Sequence, residues 1–203
     1  MSARRLIAMA PGAAGANGEC PTSPGQPAPA GAVHRLTLLT IETAQPQEWI
    51  DLTFALTQLV DACGLHDGAV SLQTRHTTTG LVINELEPLL LGDLDAMFER
   101  VAPRHAVYAH DDMSRRLVNR VPGERRNGHA HCRAALVPSS QVVHVGGGEV
   151  RLGRWQRLLF VEFDGPQRRQ VSVLLAGSAA SGAPRRVPHA ERPRPSRAAR
   201  SRA

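Results

Sequence analysis

One mixed α/β domain over about residues 33–177, built of strands interleaved with two or three helices, is predicted by three observations. Short β-rich runs recur along that stretch, and two longer segments carry apolar residues at helical spacing. The flanks 1–32 and 178–203 are dominated by Ala, Gly, Pro, Ser and Arg, so they bury too little apolar surface to offset their ordering entropy and are expected to be disordered.

The elements follow in order. Arg35 to Thr43 alternates as a strand, with Leu36, Leu38 and Thr40 on one face and Thr37, Leu39 and Ile41 on the other. From Glu48, the residues Trp49, Leu52, Leu56, Leu59, Val60 and Cys63 fall at helical spacing, and Gly64 supplies the stop. Strands are expected at Gly68 to Thr74 and Leu81 to Asn84, with the polar joint His76 to Gly80 between them. Pro88 opens a second helix in which Leu90, Leu91, Leu94, Met97, Phe98 and Val101 share a face until Pro103 ends it. A short third helix fits Asn127 to Leu136. Strands then follow near 141–145, 150–152, 155–163 and 170–175, the last three reading as an antiparallel meander with the turn Asp164, Gly165, Pro166.

Composition narrows the function. The net charge of +6 sits in the tail, where seven Arg after Gly177 oppose only Glu191. Every basic residue is Arg, which reads as compositional background, and one Tyr, two Trp and four Phe give little platform for stacking single-stranded nucleic acid. Nucleic-acid binding by the Arg tail is therefore disfavoured. Cys20, Cys63 and Cys132 form no C-x-x-C pair, which fits a reducing cytoplasm, and Cys132 reads as a small buried residue. Pro11 and Gly12 interrupt the N-terminal apolar run, against a signal peptide, and no segment is long enough to span a membrane.

Four constellations carry chemistry. Thr74 to Gly80, with Asn84 and Glu85 beyond, places an imidazole among hydroxyls, a setting for an oxyanion or a metal-bound water that reads equally as a threonine-rich β edge. Tyr108 to Asp112 sets His110 before two carboxylates, suited to a divalent cation or an acid/base pair, or to a solvated acidic loop. In Asn127 to Cys132, His129 and His131 are two apart, so on a helix only one of them can face a given cleft. The fourth runs from Gly153, Arg154, Trp155 and Gln156 through an apolar strand to Glu162, Asp164 and Arg169; Trp155 here also suits simple core packing.

The order H-T-T-T-G-L-V-I-N-E, Y-A-H, N-G-H-A-H, L-G-R-W-Q, E-F-D-G-P resembles the YjbQ family, whose members are also described as secondary thiamine-phosphate synthases. The resemblance covers nearly all of 33–177 and implies an α+β, sandwich-like fold that associates as a homotrimer. It implies catalytic roles for His76, His110, His131 and Glu85, with His129 at the family's variable place. Thr77, Thr78, Asn84, Asn127, Trp155, Gln156 and Arg169 would bind substrate, and His76, His110 and His131 would hold a divalent metal ion, Zn or Mg. Arg154 stands where the family has Thr, and Gln167 where D-G-P is commonly followed by Arg. The implied reaction joins hydroxymethylpyrimidine diphosphate to thiazole phosphate with loss of pyrophosphate. The alternative is a non-catalytic trimer binding a metal, phosphate or small anionic metabolite at the same histidines.

Overall fold

A computed structural model describes the backbone of residues 7–10 and residues 31–121 and 123–180. Its elements are β1 (Ile7–Ala10), β2 (Ala32–Glu42), β3 (Glu48–Asp51), α1 (Thr53–Cys63), β4 (Leu65–Thr74), β5 (Thr79–Glu85), α2 (Pro88–Val101), α3 (Gly128–Ala134), β6 (Ser140–Gly146), β7 (Glu149–Val150), β8 (Gln156–Glu162) and β9 (Arg168–Ala179). A six-stranded sheet has the order β1-β2-β9-β4-β6-β7, and a three-stranded sheet the order β3-β8-β5. All pairings are antiparallel. The α+β class is as predicted.

The main core lies between the two sheets and α1. Leu39 and Ile41 of β2, Leu56, Leu59 and Val60 of α1, Leu72 of β4 and Val173 and Leu175 of β9 meet Leu158 and Phe160 of β8 there. Alternate β8 residues point the other way: Val161, with Phe163 just beyond the strand, joins Phe98 of α2 and Ala130 of α3 in a second cluster. Strand β8 is thus covered on both faces, which explains why it reads as an unbroken apolar run. Within the second cluster, the Phe98 and Phe163 rings meet edge to face with centroids 4.9 Å apart.

Several elements depart from the sequence expectation. The expected meander is divided between the sheets: β7 pairs with β6, β8 lies between β3 and β5, and β9 between β2 and β4. Alternation defines a strand's two faces but not its neighbour, so β8 could not be told from a meander strand by pattern alone. The first helix starts at Thr53 instead of Glu48, because Trp49 and Ile50 pair opposite Val161 and Phe160 of β8. Asp51 Oδ1 then accepts the Thr53 N–H at 2.8 Å, and Gly64, at φ 64°, ends the helix as expected.

Helix α2 starts at Pro88 with the Glu87 carboxylate accepting the N–H groups of Leu89 and Leu90, but of its expected apolar face only Phe98 is buried. Val101 is exposed, as is Leu89 beside that face. At the N-terminus, Ile7–Ala10 pair along Leu38 to Ile41 as an edge strand, Ala32 opens β2, and Ser178 and Ala179 close β9, where the flanks were expected to lack structure; 1–6, 11–30 and 181–203 lie outside the described residues. No helix among the described residues is long and apolar enough to cross a membrane.

Candidate functional site

The polar joint between β4 and β5, the end of β8, the start of β9 and the segment from Tyr108 to α3 are linked at one end of the three-stranded sheet. Glu162, the last residue of β8, is fully buried. A carboxylate there needs partners, and it has them: Arg169 donates from Nε to Oε2 at 2.6 Å and from Nη2 to Oε1 at 2.7 Å. Oε1 also accepts the backbone N–H of Phe163 at 3.1 Å and Asp164 at 2.8 Å, and Thr43 Oγ1 donates to Oε2 at 3.3 Å. Nη2 of Arg169 reaches the buried Thr78 Oγ1 at 3.0 Å.

His76 adjoins this network. Its Nε2 accepts the backbone N–H of Gln170 at 2.8 Å, which places the ring proton on Nδ1 and the ring in its neutral form. Burial, reinforced by the Arg169 guanidinium, holds this imidazole below the usual histidine value.

His110 and His131 form a second centre, assembled by the mutual packing of two short elements. The 3-10 turn Ala109–Asp111 is fastened to the start of α3 by Asp111 Oδ1, which accepts the N–H groups of Asn127 and Gly128, each at 2.9 Å. Gly128 permits this approach, since a Cβ there would lie 2.5 Å from the Tyr108 Cβ. The two imidazoles consequently face one another, centroids 4.6 Å apart and planes inclined by 58°. Burial, with the neighbouring His110, lowers the pKa of His131. Arg116 and Glu124, paired at 2.9 Å, add opposing charges to the same surroundings.

Two buried atoms here lack a hydrogen-bond partner among the described residues, His110 Nε2 and Asn127 Oδ1. Asn127 Nδ2 donates to Asp164 Oδ2 at 3.1 Å, and Arg125 grips the Asp164 and Gly165 carbonyls. Asp164 therefore joins this centre to Glu162, Arg169 and His76.

The predicted site residues thus divide. His110, His131 and Asn127 are together, and His76, Thr78 and Arg169 adjoin them through Glu162 and Asp164. Thr77 is exposed at the edge. Asn84, Glu85 and Gln156 are elsewhere: Thr79 pairs with Glu162 at one end of the β5–β8 ladder, while Glu85 pairs with Gln156 at the other. Six residues of strand separate those ends, or about 20 Å. Trp155, beside Gln156, is 63% exposed and carries the Arg154 guanidinium 4.8 Å above its ring, which corrects the core-packing reading of this residue.

Three expected roles change within one chain. Arg169 is buried and committed to Glu162 and Thr78, so it holds the site's frame. His76 has no Nε2 lone pair left for a metal, and no three His, Cys, Asp or Glu side chains among the described residues group to hold one. The expected metal centre therefore does not fit one chain, where His110 and His131 offer two donors against the three protein ligands usual for catalytic zinc. Cys132, expected to be buried, is exposed on α3.

Sequence reasoning offered Asp111 as a cation or acid/base carboxylate beside His110, not as the clasp it forms with α3, read Asp164 as a turn residue, and gave no role to Glu162. Glu162 could have been found as a charge inside a core strand, which demands a buried cation.

Residues 37–178 match the family model "UPF0047 protein YjbQ-like". The chain belongs to this family. Among its relatives, a UPF0047 protein of Archaeoglobus fulgidus is 42% identical over 135 residues, 66% of this chain and 96% of the relative. YugU of Bacillus subtilis is 33% identical over 143 residues, 70% and 99% of the two chains. The crystal structure of a YbjQ-like protein of unknown function from Sulfolobus solfataricus superposes with a TM-score of 0.63 at 25% identity, covering 72% of this chain and 99% of that one. A YjbQ/UPF0047 family structure from Clostridium acetobutylicum gives 0.58 at 32% identity, over 68% and 98%.

Proposed function

We propose that this YjbQ-family chain binds a small phosphorylated or otherwise anionic metabolite beside His110, His131 and Asn127, as a cytoplasmic homotrimer. The observation that carries this reading is the pair of unpartnered buried atoms, His110 Nε2 and Asn127 Oδ1. A buried polar atom without a partner costs about 1–3 kcal/mol, and a ligand offering one donor and one acceptor at this spot removes that cost. The trimer is supported by the apolar side chains one chain leaves uncovered, Leu89 at 79% and Val107 at 98% exposure among them. It is also the arrangement that can bring Asn84, Glu85, Trp155 and Gln156 of one subunit to the histidines of the next. A divalent ion, Zn or Mg, enters this reading only through a donor from that neighbour.

The test is an NMR titration of the His110 and His131 ring signals with hydroxymethylpyrimidine diphosphate and with thiazole phosphate. Saturable shifts of those signals are expected. Unmoved signals in the intact trimer would overturn the reading.

A second reading, favoured by the closeness of His131 to His110, is coupling of those two precursors: the thiazole nitrogen bonds to the pyrimidine's methylene carbon as the carbon–oxygen bond to pyrophosphate breaks, an imidazole N–H hydrogen-bonding to the departing oxygen. A pyrophosphate-release assay at background with both precursors present would remove it.

A further inference from the structure

A polar cavity opens beside α3, away from the His110–His131 pair. It has a volume of about 220 Å³ and is lined by Arg104, His105, Ala106, Asp111, Arg126 and His129. Because His129 and His131 are two apart on the helix, their side chains diverge, and His129 lines this cavity while His131 pairs with His110. His129 is 5% exposed and makes no hydrogen bond to any described residue. Arg104 and Arg126 expose their side chains and have no carboxylate partner among the described residues, whereas Arg133 on the same helix is fastened to Glu99 and Gln47. Asp111 also borders the cavity, but its Oδ1 already accepts two backbone N–H groups, so the guanidiniums outweigh it.

The geometry points to a phosphate-binding site at Arg104, Arg126 and His129, separate from the paired histidines. Two guanidiniums supply planar, charged donors suited to phosphate oxygens. Burial, reinforced by Arg133 and Arg104, keeps the His129 ring neutral, with one N–H to donate and one nitrogen to accept. Asp111 can accept from a P–OH or from a hydroxyl beside the phosphate. The volume is below that of pockets for drug-sized ligands, which limits the occupant to free phosphate or a small phosphomonoester. This inference does not rest on the reading of His110 and His131.

Isothermal titration calorimetry of the full chain with inorganic phosphate, and separately with glycerol 3-phosphate, tests it. Saturable binding of at least one is expected, and which one binds tells free phosphate from a monoester. The double variant R104Q/R126Q should weaken that binding about tenfold or more with an unchanged melting temperature. His131→Ala should leave it within about twofold. The proposal is overturned if neither compound binds the wild-type chain, if the double variant binds as the wild type does, or if His131→Ala abolishes binding, which would move the anion to the histidine pair.

Discussion

Glu162 and Arg169 meet through two parallel hydrogen bonds of 2.6 and 2.7 Å, the carboxylate fully buried and the guanidinium side chain 9% exposed. Removing either charge strands the other inside the protein, whereas replacing both leaves no buried charge.

Arg169→Met alone should therefore destabilise the chain by about 3–5 kcal/mol. The double variant Glu162→Leu/Arg169→Met should recover part of that loss, though the Asp164 N–H would still lack its acceptor; the Phe163 N–H keeps the Thr78 carbonyl at 3.1 Å. Urea unfolding of the three proteins checks this; a double variant no more stable than the single one would show that the backbone bonds to Glu162 dominate.

Gly128→Ala should destabilise by about 2 kcal/mol, since the added methyl meets the Tyr108 Cβ, close to the backbone, where little can yield. Separation of the 3-10 turn from α3 would also disturb the His110–His131 contact. Thermal unfolding together with the two histidine ring signals measures both effects.

The pH dependence of stability has a defined sign. The pKa values of His76, His129 and His131 are each lowered, chiefly by burial, from an ordinary 6.5. The unfolded chain then binds more protons than the folded one below 6.5, so the stability these groups supply is full above that pH and is lost as pH falls. The loss should begin before the carboxylates with lowered values, such as Glu87 and Glu124, titrate below 4.5. Urea midpoints between pH 8 and pH 5 should fall, and less steeply in His76→Gln/His131→Gln. An unchanged slope in that variant would count against burial as the cause.

Light scattering of the full chain should give three times the 21.9 kDa monomer mass. Leu89→Glu/Val107→Asp should reduce it to the monomer if those side chains are covered in the assembly; a trimer that survives both changes would place the interface elsewhere.

Much of this architecture was legible because it is written in local pattern. Gly64 and Pro88 mark helix ends through backbone geometry, and Thr37, Leu39 and Ile41 repeat at the period of a strand. Which strand pairs with which was not legible. Strand β8 leaves its sequence neighbours to lie between β3 and β5, a choice made by long-range burial of Leu158 and Phe160 on one face and Val161 on the other. The same limit applies to the site. His110 and His131 meet because Asp111 fastens two short elements together, and no spacing rule encodes that; nor does any spacing show that Asn84 and Trp155 lie a strand's length away.

Gly68 and Gly177 face each other across β4 and β9, and a Cβ on either would lie 2.1–2.2 Å from a carbonyl oxygen of the opposing strand. Only one alignment of these strands puts the two bare positions side by side; sliding either by a residue brings a side chain into the gap. The pair thus acts as a keying notch for the large sheet, and because β9 begins at Arg168, the same notch sets how far Arg169 and Gln170 advance towards Glu162 and His76.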